Sequence, residues 1–235
     1  MRITEAIILA GGFGTRLKHI VNDVPKPMAP INNLPFLSYL IKKMSDIGIK
    51  HIVLSTGYLH EKIESYYHHS FKGIKISYAH ETEPLGTGGA MLFSFEKTTT
   101  ENLLVLNGDT FFDIDFEYFD DFFRKKETPL AVALRRLDDI SRYGSVSINN
   151  NYKIISFAEK NQTTGEGLIN GGIYLINKNW LKRLNLPQNF SFEKDVLEKM
   201  YKENDFFALP FNNYFIDIGV PEDYERAQRE LSMQL

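Results

Sequence analysis

Residues 9–17 read LAGGFGTRL, and the pair Lys26-Pro27 follows in VPKPM. Glycines after an apolar run let backbone N–H groups come close to an anion, and an arginine beside them can grip a phosphate in a bidentate fashion. Arg16 therefore sits where a positive charge would meet a polyphosphate. Lys26 is a second candidate cation, on a loop stiffened by Pro25 and Pro27. Two further stretches follow apolar runs in the same way: ETEPLGTGGA at 81–90 and NGD at 107–109. One such turn means little, because glycines commonly just close turns. Three at one sheet edge would form a site.

Two phosphate-loop templates fail on this sequence. A Walker loop needs G-x-x-x-x-G-K-[ST], and no Lys-Ser/Thr pair stands at that spacing from Gly11 or Gly12. A dinucleotide fingerprint needs G-x-G-x-x-G and an acid at the end of the second strand. Gly12-Phe13-Gly14 begins well, but Leu17 stands in place of the third glycine, and the second strand ends at Ser55-Thr56-Gly57. A dinucleotide-dependent oxidoreductase is disfavoured on both counts. The chain has no cysteine, which excludes disulfides, thiol catalysis and Cys-ligated zinc. His68-His69 lie at the end of a helical pattern without metalloprotease spacing and read as ordinary surface residues.

The elements that must position these residues alternate. EAIILA (5–10), HIVLSTG (51–57), KISYAHE (75–81), NLLVLNGD (102–109) and LAVALRRL (130–137) read as strands; residues 35–48, 59–69 and 116–126 carry helical periodicity. Such alternation predicts βαβ units, a mostly parallel sheet and helices on both faces, with ligands beyond the carboxyl ends of the strands. After about residue 140, SVSINN, YKIISFAEK and GGIYLINK are separated by short turns, which predicts an antiparallel portion; FIDIG (215–219) reads as a strand between helices at 191–203 and 221–234. The aromatic run FEYFDDFF reads as a buried helix face, and Asp113 and Asp115 as helix-start caps. With 43% hydrophobic residues, 24% charged residues and a net charge of −3, the chain is an ordinary globular one with no basic excess for nucleic acid. No signal peptide and no apolar run near the roughly 18 residues of a membrane span stand out, so a cytoplasmic protein is expected.

LAGGFGTRL followed by KP resembles the signature of sugar-1-phosphate nucleotidyltransferases, the nucleotide-sugar pyrophosphorylases. PLGTGGA (84–90), NGD (107–109), EK (159–160), NGGIYL (170–175) and FIDIGVPEDY (215–224) match further blocks of that family in order, over nearly the whole chain. The match is nearest to the short bacterial guanylyltransferase branch acting on mannose or D-glycero-D-manno-heptose 1-phosphate. The resemblance implies an α/β, Rossmann-like (GT-A-type) fold: a mixed, mostly parallel sheet flanked by helices, with a small antiparallel sugar-binding portion. It implies one domain over 1–235, with 1–135 mainly binding nucleotide and 136–235 mainly sugar phosphate. The reaction would join a sugar 1-phosphate to a nucleoside triphosphate, GTP on this branch, and release pyrophosphate. The attacking oxygen is already an anion, so alignment and charge neutralisation are what the protein must supply.

Carried over by resemblance, Arg16, Lys26 and Asp109 are catalytic. Leu9, Ala10, Gly11, Gly12, Gly14, Thr15, Arg16, Lys26, Leu85, Gly86, Thr87, Asn107 and Gly108 would bind nucleotide. Gly144, Glu159, Lys160, Asn170 and Gly171 would bind sugar phosphate; the block here is AEKNQ, without the proline that often follows the lysine. Asp109 and Asp217 would ligate Mg²⁺, for which oxygen ligands and retained water suit; a turn residue or helix cap is the lesser alternative for Asp109 read alone. The implied partners are the two substrates, with no nucleic acid and no membrane insertion, and a homo-oligomer is compatible with this reading. Uridylyl, thymidylyl and cytidylyl relatives share the core signature, so the base stays open. A catalytically silent sensor on the same fold is disfavoured by the intact Arg16, Lys26, Asp109 and Asp217. No hexapeptide repeats follow, so a single activity is expected.

Overall fold

The computed structural model describes residues 3–12, 23–159 and 164–231. The chain opens with β1 (Glu5–Leu9), a small hairpin of β2 (Pro30–Ile31) and β3 (Leu34–Pro35), α1 (Phe36–Asp46), β4 (His51–Thr56) and α2 (His60–Tyr67). It continues through β5 (Ser70–Phe71), β6 (Ile74–His80), α3 (Gly86–Ser94), β7 (Asn102–Asn107), β8 (Thr110–Phe112), α4 (Phe116–Lys126) and β9 (Leu130–Leu137). Last come β10 (Ser145–Ile148), β11 (Ile154–Ala158), β12 (Gly167–Asn177), α5 (Lys178–Arg183), a π-helical segment Phe192–Glu198, β13 (Phe207–Phe211), β14 (Phe215–Asp217) and α6 (Pro221–Glu230).

Strands β6, β4, β1 and β7 lie side by side and parallel, so the loops after β1, β6 and β7 emerge at one edge. The sheet is mixed beyond β7: β12 runs antiparallel to β7, β9 and β10, and β13 pairs parallel to β9. All six residues of β4 are buried, as a strand covered on both faces requires. One face packs against α1, α4 and α6 through a core that includes Phe36, Leu40, Phe119, Ile173 and Ala227. The other is covered by α3, α5 and the π-helical segment, with Met91, Leu181, Phe192 and Val196.

The sequence pattern is met closely in α4, whose Phe116, Phe119, Phe122 and Phe123 face the core and whose N-cap, Asp115, accepts from the Tyr118 N–H. Asp113 instead pairs with Lys43 on α1. His68 and His69 are exposed, as expected. Two expectations change. The FIDIG strand is shorter than 215–219: only Phe215–Asp217 is strand, and β14 pairs with β8 in a separate two-stranded ribbon. Residues 191–203 do not form a regular α-helix; Ser191 caps a π-helical turn, which widens the backbone to fit α3 beneath it.

At the edge opposite the glycine-rich loops, Glu5 fastens three segments. Its Oε1 lies 2.8 Å from His51 Nδ1 on β4, and its Oε2 accepts from the Thr99 and Thr100 N–H groups at 2.8 and 2.6 Å and from the Thr100 hydroxyl at 2.8 Å. Burial pushes its acidity the other way, but the bonds from His51, Thr100 and Thr99 prevail and hold the pKa at about 2. A carboxylate with a depressed folded pKa contributes stability above its ordinary value and loses it as pH falls towards the folded value. Glu5→Gln is therefore expected to cost on the order of 3 kcal/mol at pH 7. It should also flatten the loss of stability between pH 4.5 and about 2, as read by urea unfolding at a series of pH values. An unchanged acid limb would refute this account.

Candidate active site

The three loops at the carboxyl edge form one cleft with two lobes, of about 630 and 300 Å³. Gly12, Lys26, Thr87, Asn107 and Asp109 line both, so they form the waist between the lobes. The smaller lobe adds Leu9, Gly11, Glu81, Pro84, Gly86 and Ala90, and the larger adds Gly144, Glu159, Asn170, Glu193 and Asp217.

The waist is built from distant pieces of chain. Lys26 opens a single 3-10 turn, Lys26–Met28, fixed by Pro25 and Pro27 on either side. Its Nζ donates to Asp109 Oδ2 at 2.6 Å and lies 3.6 Å from Asp217 Oδ1. Asp109 ends the turn after β7. Asp217 is set opposite Thr110 in the β8–β14 ribbon, and the Ile218 N–H donates to the Asp109 carbonyl. The ribbon thus brings together two acids 108 positions apart. Burial disfavours charge on both. At Asp109 the Lys26 charge and hydrogen bond outweigh burial and lower the pKa; at Asp217 burial and the Asp109 charge raise it.

Asp217 Oδ1 is buried without a hydrogen-bond partner. An orphaned carboxylate oxygen beside a second carboxylate, on a residue that lines the cleft, fits an oxygen-ligated divalent cation. Among the described residues no group of three or more His, Cys, Asp or Glu side chains could hold a metal, so Asp109 and Asp217 would supply two ligands and leave the rest to water or phosphate.

Several sequence-expected residues face elsewhere. Ala10 is buried and donates its N–H to the Ser55 carbonyl. Gly108 backs onto the Leu9 carbonyl, where a Cβ would stand 2.6 Å away. Leu85 does not line the cleft, and its N–H donates to Glu81 Oε2 at 3.1 Å. Gly171 faces the Phe112 ring and the Ala133 carbonyl, while its neighbour Gly172, at φ +70°, lines the larger lobe. A shift of register in β12 between Asn170 and Ile173 causes this exchange. Gly14, Thr15, Arg16 and Lys160 lie outside the described residues. Sequence reasoning passed over Glu81, Arg142, Tyr143 and Glu193. Glu81 opens the glycine-rich ETEPLGTGGA stretch, and Arg142-Tyr143 directly precedes Gly144.

A family model described as nucleotidyl transferase matches residues 5–234. The chain belongs to the nucleotidyl transferase family. It is 46% identical over 227 residues, 97% of this chain and 98% of the relative, to a D-glycero-alpha-D-manno-heptose 1-phosphate guanylyltransferase of Aneurinibacillus thermoaerophilus. The enzyme of that name from Campylobacter jejuni is 47% identical over 220 residues, 94% of this chain and 96% of the relative. The crystal structure of HddC from Yersinia pseudotuberculosis complexed with GMP-PN superposes with a TM-score of 0.85 at 36% identity, covering 97% of this chain and 99% of that one. Nucleotidyl transferases of this family generally use a divalent metal, in keeping with the paired acids of this member.

Asp109→Asn keeps the shape of the waist and removes a charge that both Lys26 and a cation would meet. Turnover is expected to fall by roughly 10²–10³-fold with an unchanged circular dichroism spectrum. Near-normal turnover would remove Asp109 from the chemistry.

Proposed function

We propose that this nucleotidyl transferase moves the guanylyl group of GTP onto D-glycero-α-D-manno-heptose 1-phosphate, forming a nucleotide-sugar and releasing pyrophosphate. The observation that carries the reading is the waist: a lysine and a half-buried acid, Asp109, where the two lobes meet, with a second half-buried acid, Asp217, beside them in the larger lobe. The names of the two relatives support the choice of base and sugar. In this reading the smaller lobe takes the nucleoside, with Leu9, Gly11 and Gly86 against it, and the larger takes the sugar phosphate beside Gly144, Glu159 and Asn170.

An oxygen of the sugar phosphate attacks the α-phosphorus of GTP in line. The new P–O bond forms as the bond to the β-phosphate oxygen breaks, and the electron pair leaves with pyrophosphate. No proton need be removed from the attacker, so the protein's task is to align two anions and offset their repulsion. Lys26 places its ammonium at the meeting point, and the resemblance assigns Arg16 to the triphosphate as a second cation. Asp109 and Asp217 would hold Mg²⁺, which supplies further positive charge to the phosphates.

Glu81 supports guanine in particular. Its Oε1 accepts from Ser55 Oγ at 2.9 Å and its Oε2 from the Leu85 N–H at 3.1 Å, so the carboxylate is oriented before any ligand arrives. Among the described residues each oxygen has no other donor and keeps a second lone pair. A carboxylate can accept from both N1–H and the exocyclic amine of guanine. Uracil, thymine and cytosine lack that adjacent pair of donors.

The test is a matrix of nucleoside triphosphates against sugar 1-phosphates, read by pyrophosphate release with Mg²⁺. GTP with the heptose phosphate should give the highest kcat/KM. Preference for UTP or dTTP would overturn the base, preference for mannose 1-phosphate the sugar, and no release from any pair the reaction. Glu81→Gln is expected to raise the KM for GTP about tenfold, the size of a lost charge-assisted hydrogen bond, and to narrow the preference over UTP. An unchanged GTP-to-UTP ratio would remove Glu81 from base selection.

A further inference from the structure

Glu193 stands where the two lobes share a wall, and its hydrogen bonds reach into both. Oε2 accepts from the Thr87 hydroxyl at 2.5 Å and from Ser191 Oγ at 3.1 Å; Oε1 accepts from the Tyr174 hydroxyl at 3.2 Å. Thr87 belongs to the first turn of α3, on the nucleotide side. Tyr174 lies on β12 and is fully buried. Its hydroxyl in turn accepts from Asn170 Nδ2 at 2.6 Å, and Asn170 Oδ1 accepts from the Gly172 N–H at 3.0 Å. A continuous chain therefore runs Thr87–Glu193–Tyr174–Asn170 from one lobe to the other.

The backbone locks this chain in place. Residues 189–192 lie along the turn at 84–88 like a strap. Asn189 Nδ2 donates to the Pro84 carbonyl, the Phe190 N–H to Leu85, the Gly88 N–H to Phe190, and the Phe192 N–H to Thr87 Oγ1. A Cβ at Gly88 would stand 2.0 Å from the Phe190 ring, so only glycine admits the strap at this depth. The glycines of GTGG thus serve the strap as well as any nucleotide.

Lone-pair accounting shows what remains free. A carboxylate offers about four acceptor positions, two on each oxygen. Thr87 and Ser191 fill both on Oε2, and among the described residues Tyr174 alone occupies Oε1. One acceptor position is left, on a residue that lines the larger lobe. Among the described residues Asn170, in the same lobe, keeps one amide hydrogen and one lone pair. An open acceptor next to an open donor and acceptor matches the hydroxyls of a sugar. Burial and the adjacent Glu193 charge push the Tyr174 hydroxyl far above its usual range, so it stays protonated and goes on donating to Glu193.

We propose that Glu193 binds a sugar hydroxyl through Oε1 while Oε2 holds the Thr87 end of the nucleotide turn, so that each substrate binds more tightly once the other is seated. This rests on the two-lobe reading given under Proposed function. The physical basis is shared ordering: a substrate that fixes the carboxylate from one side has already met the cost of fixing it for the other.

The experiment titrates the heptose 1-phosphate into the protein with and without a non-hydrolysable GTP analogue, by calorimetry, for the unaltered chain, Glu193→Gln and Tyr174→Phe. The unaltered chain should bind the sugar phosphate several-fold more tightly when the nucleotide is present. Glu193→Gln should weaken sugar-phosphate binding roughly tenfold and remove that enhancement, with the thermal midpoint held. Tyr174→Phe leaves the Glu193 charge in place and should lower the enhancement only. Full enhancement in Glu193→Gln would overturn the inference, as would a thermal midpoint that falls along with the affinity, which marks a purely structural role. If the unaltered chain turns over GTP while the variants couple normally, the inference fails and the reaction stands. If it shows no pyrophosphate release with any pair, both fail.

Discussion

Two half-buried carboxylates around one lysine set the terms for the rest of this molecule. Asp109 and Asp217 could not sit side by side without a cation, because partial withdrawal from water already disfavours their charges and the two repel. Lys26 meets part of that demand at 2.6 Å from Asp109, and the orphaned Asp217 oxygen shows that part is left unmet. The remainder is available to a ligand of positive charge. The fold accommodates this unstable cluster by surrounding it with stiff parts: a proline-flanked turn, a two-stranded ribbon and the ends of fully buried parallel strands.

The sheet explains why those parts meet. Parallel order β6-β4-β1-β7 sends three loops to one edge, and the antiparallel β12 returns along β7 to bring Asn170 and Gly172 beside them. At the far edge Glu5 binds β4 and the segment before β7 to β1, so the register of the strands is held from the end that does no chemistry. These four hydrogen bonds to the Glu5 carboxylate therefore lie away from the cleft. The cleft keeps its polar atoms partly unsatisfied and ready for ligand.

The site also has an internal division of labour. Lys26, Asp109 and Asp217 concern charge on phosphate. Glu81 is an acceptor oriented in advance by donors from its own side of the protein, whereas Glu193 is held by donors from both sides of the cleft. An acceptor fixed before binding loses little entropy when the ligand arrives, which makes it suited to telling ligands apart. Arg142, paired with Asp223 at 2.7 Å in the first turn of α6, adds a cation to the wall of the larger lobe.

The sequence by itself determined the class of fold, the glycine-rich and acidic turns, and the buried face of α4, because periodicity and turn chemistry are local properties. The order of its motifs was also enough to name the family. It could not show that FIDIG leaves the main sheet to pair with β8, since an apolar strand pattern does not name its partner. Nor could it show that Gly172 rather than Gly171 lines the cleft: a register shift moves each side chain to the other face, and only pairing with β7 and β9 fixes where the shift falls. Glu81 and Glu193 were illegible for the same reason. Each is an ordinary surface-type residue in the sequence, 112 positions from the other. Only the packing of a π-helical strap onto a glycine turn, and of that turn onto a strand end, makes them walls of one cleft.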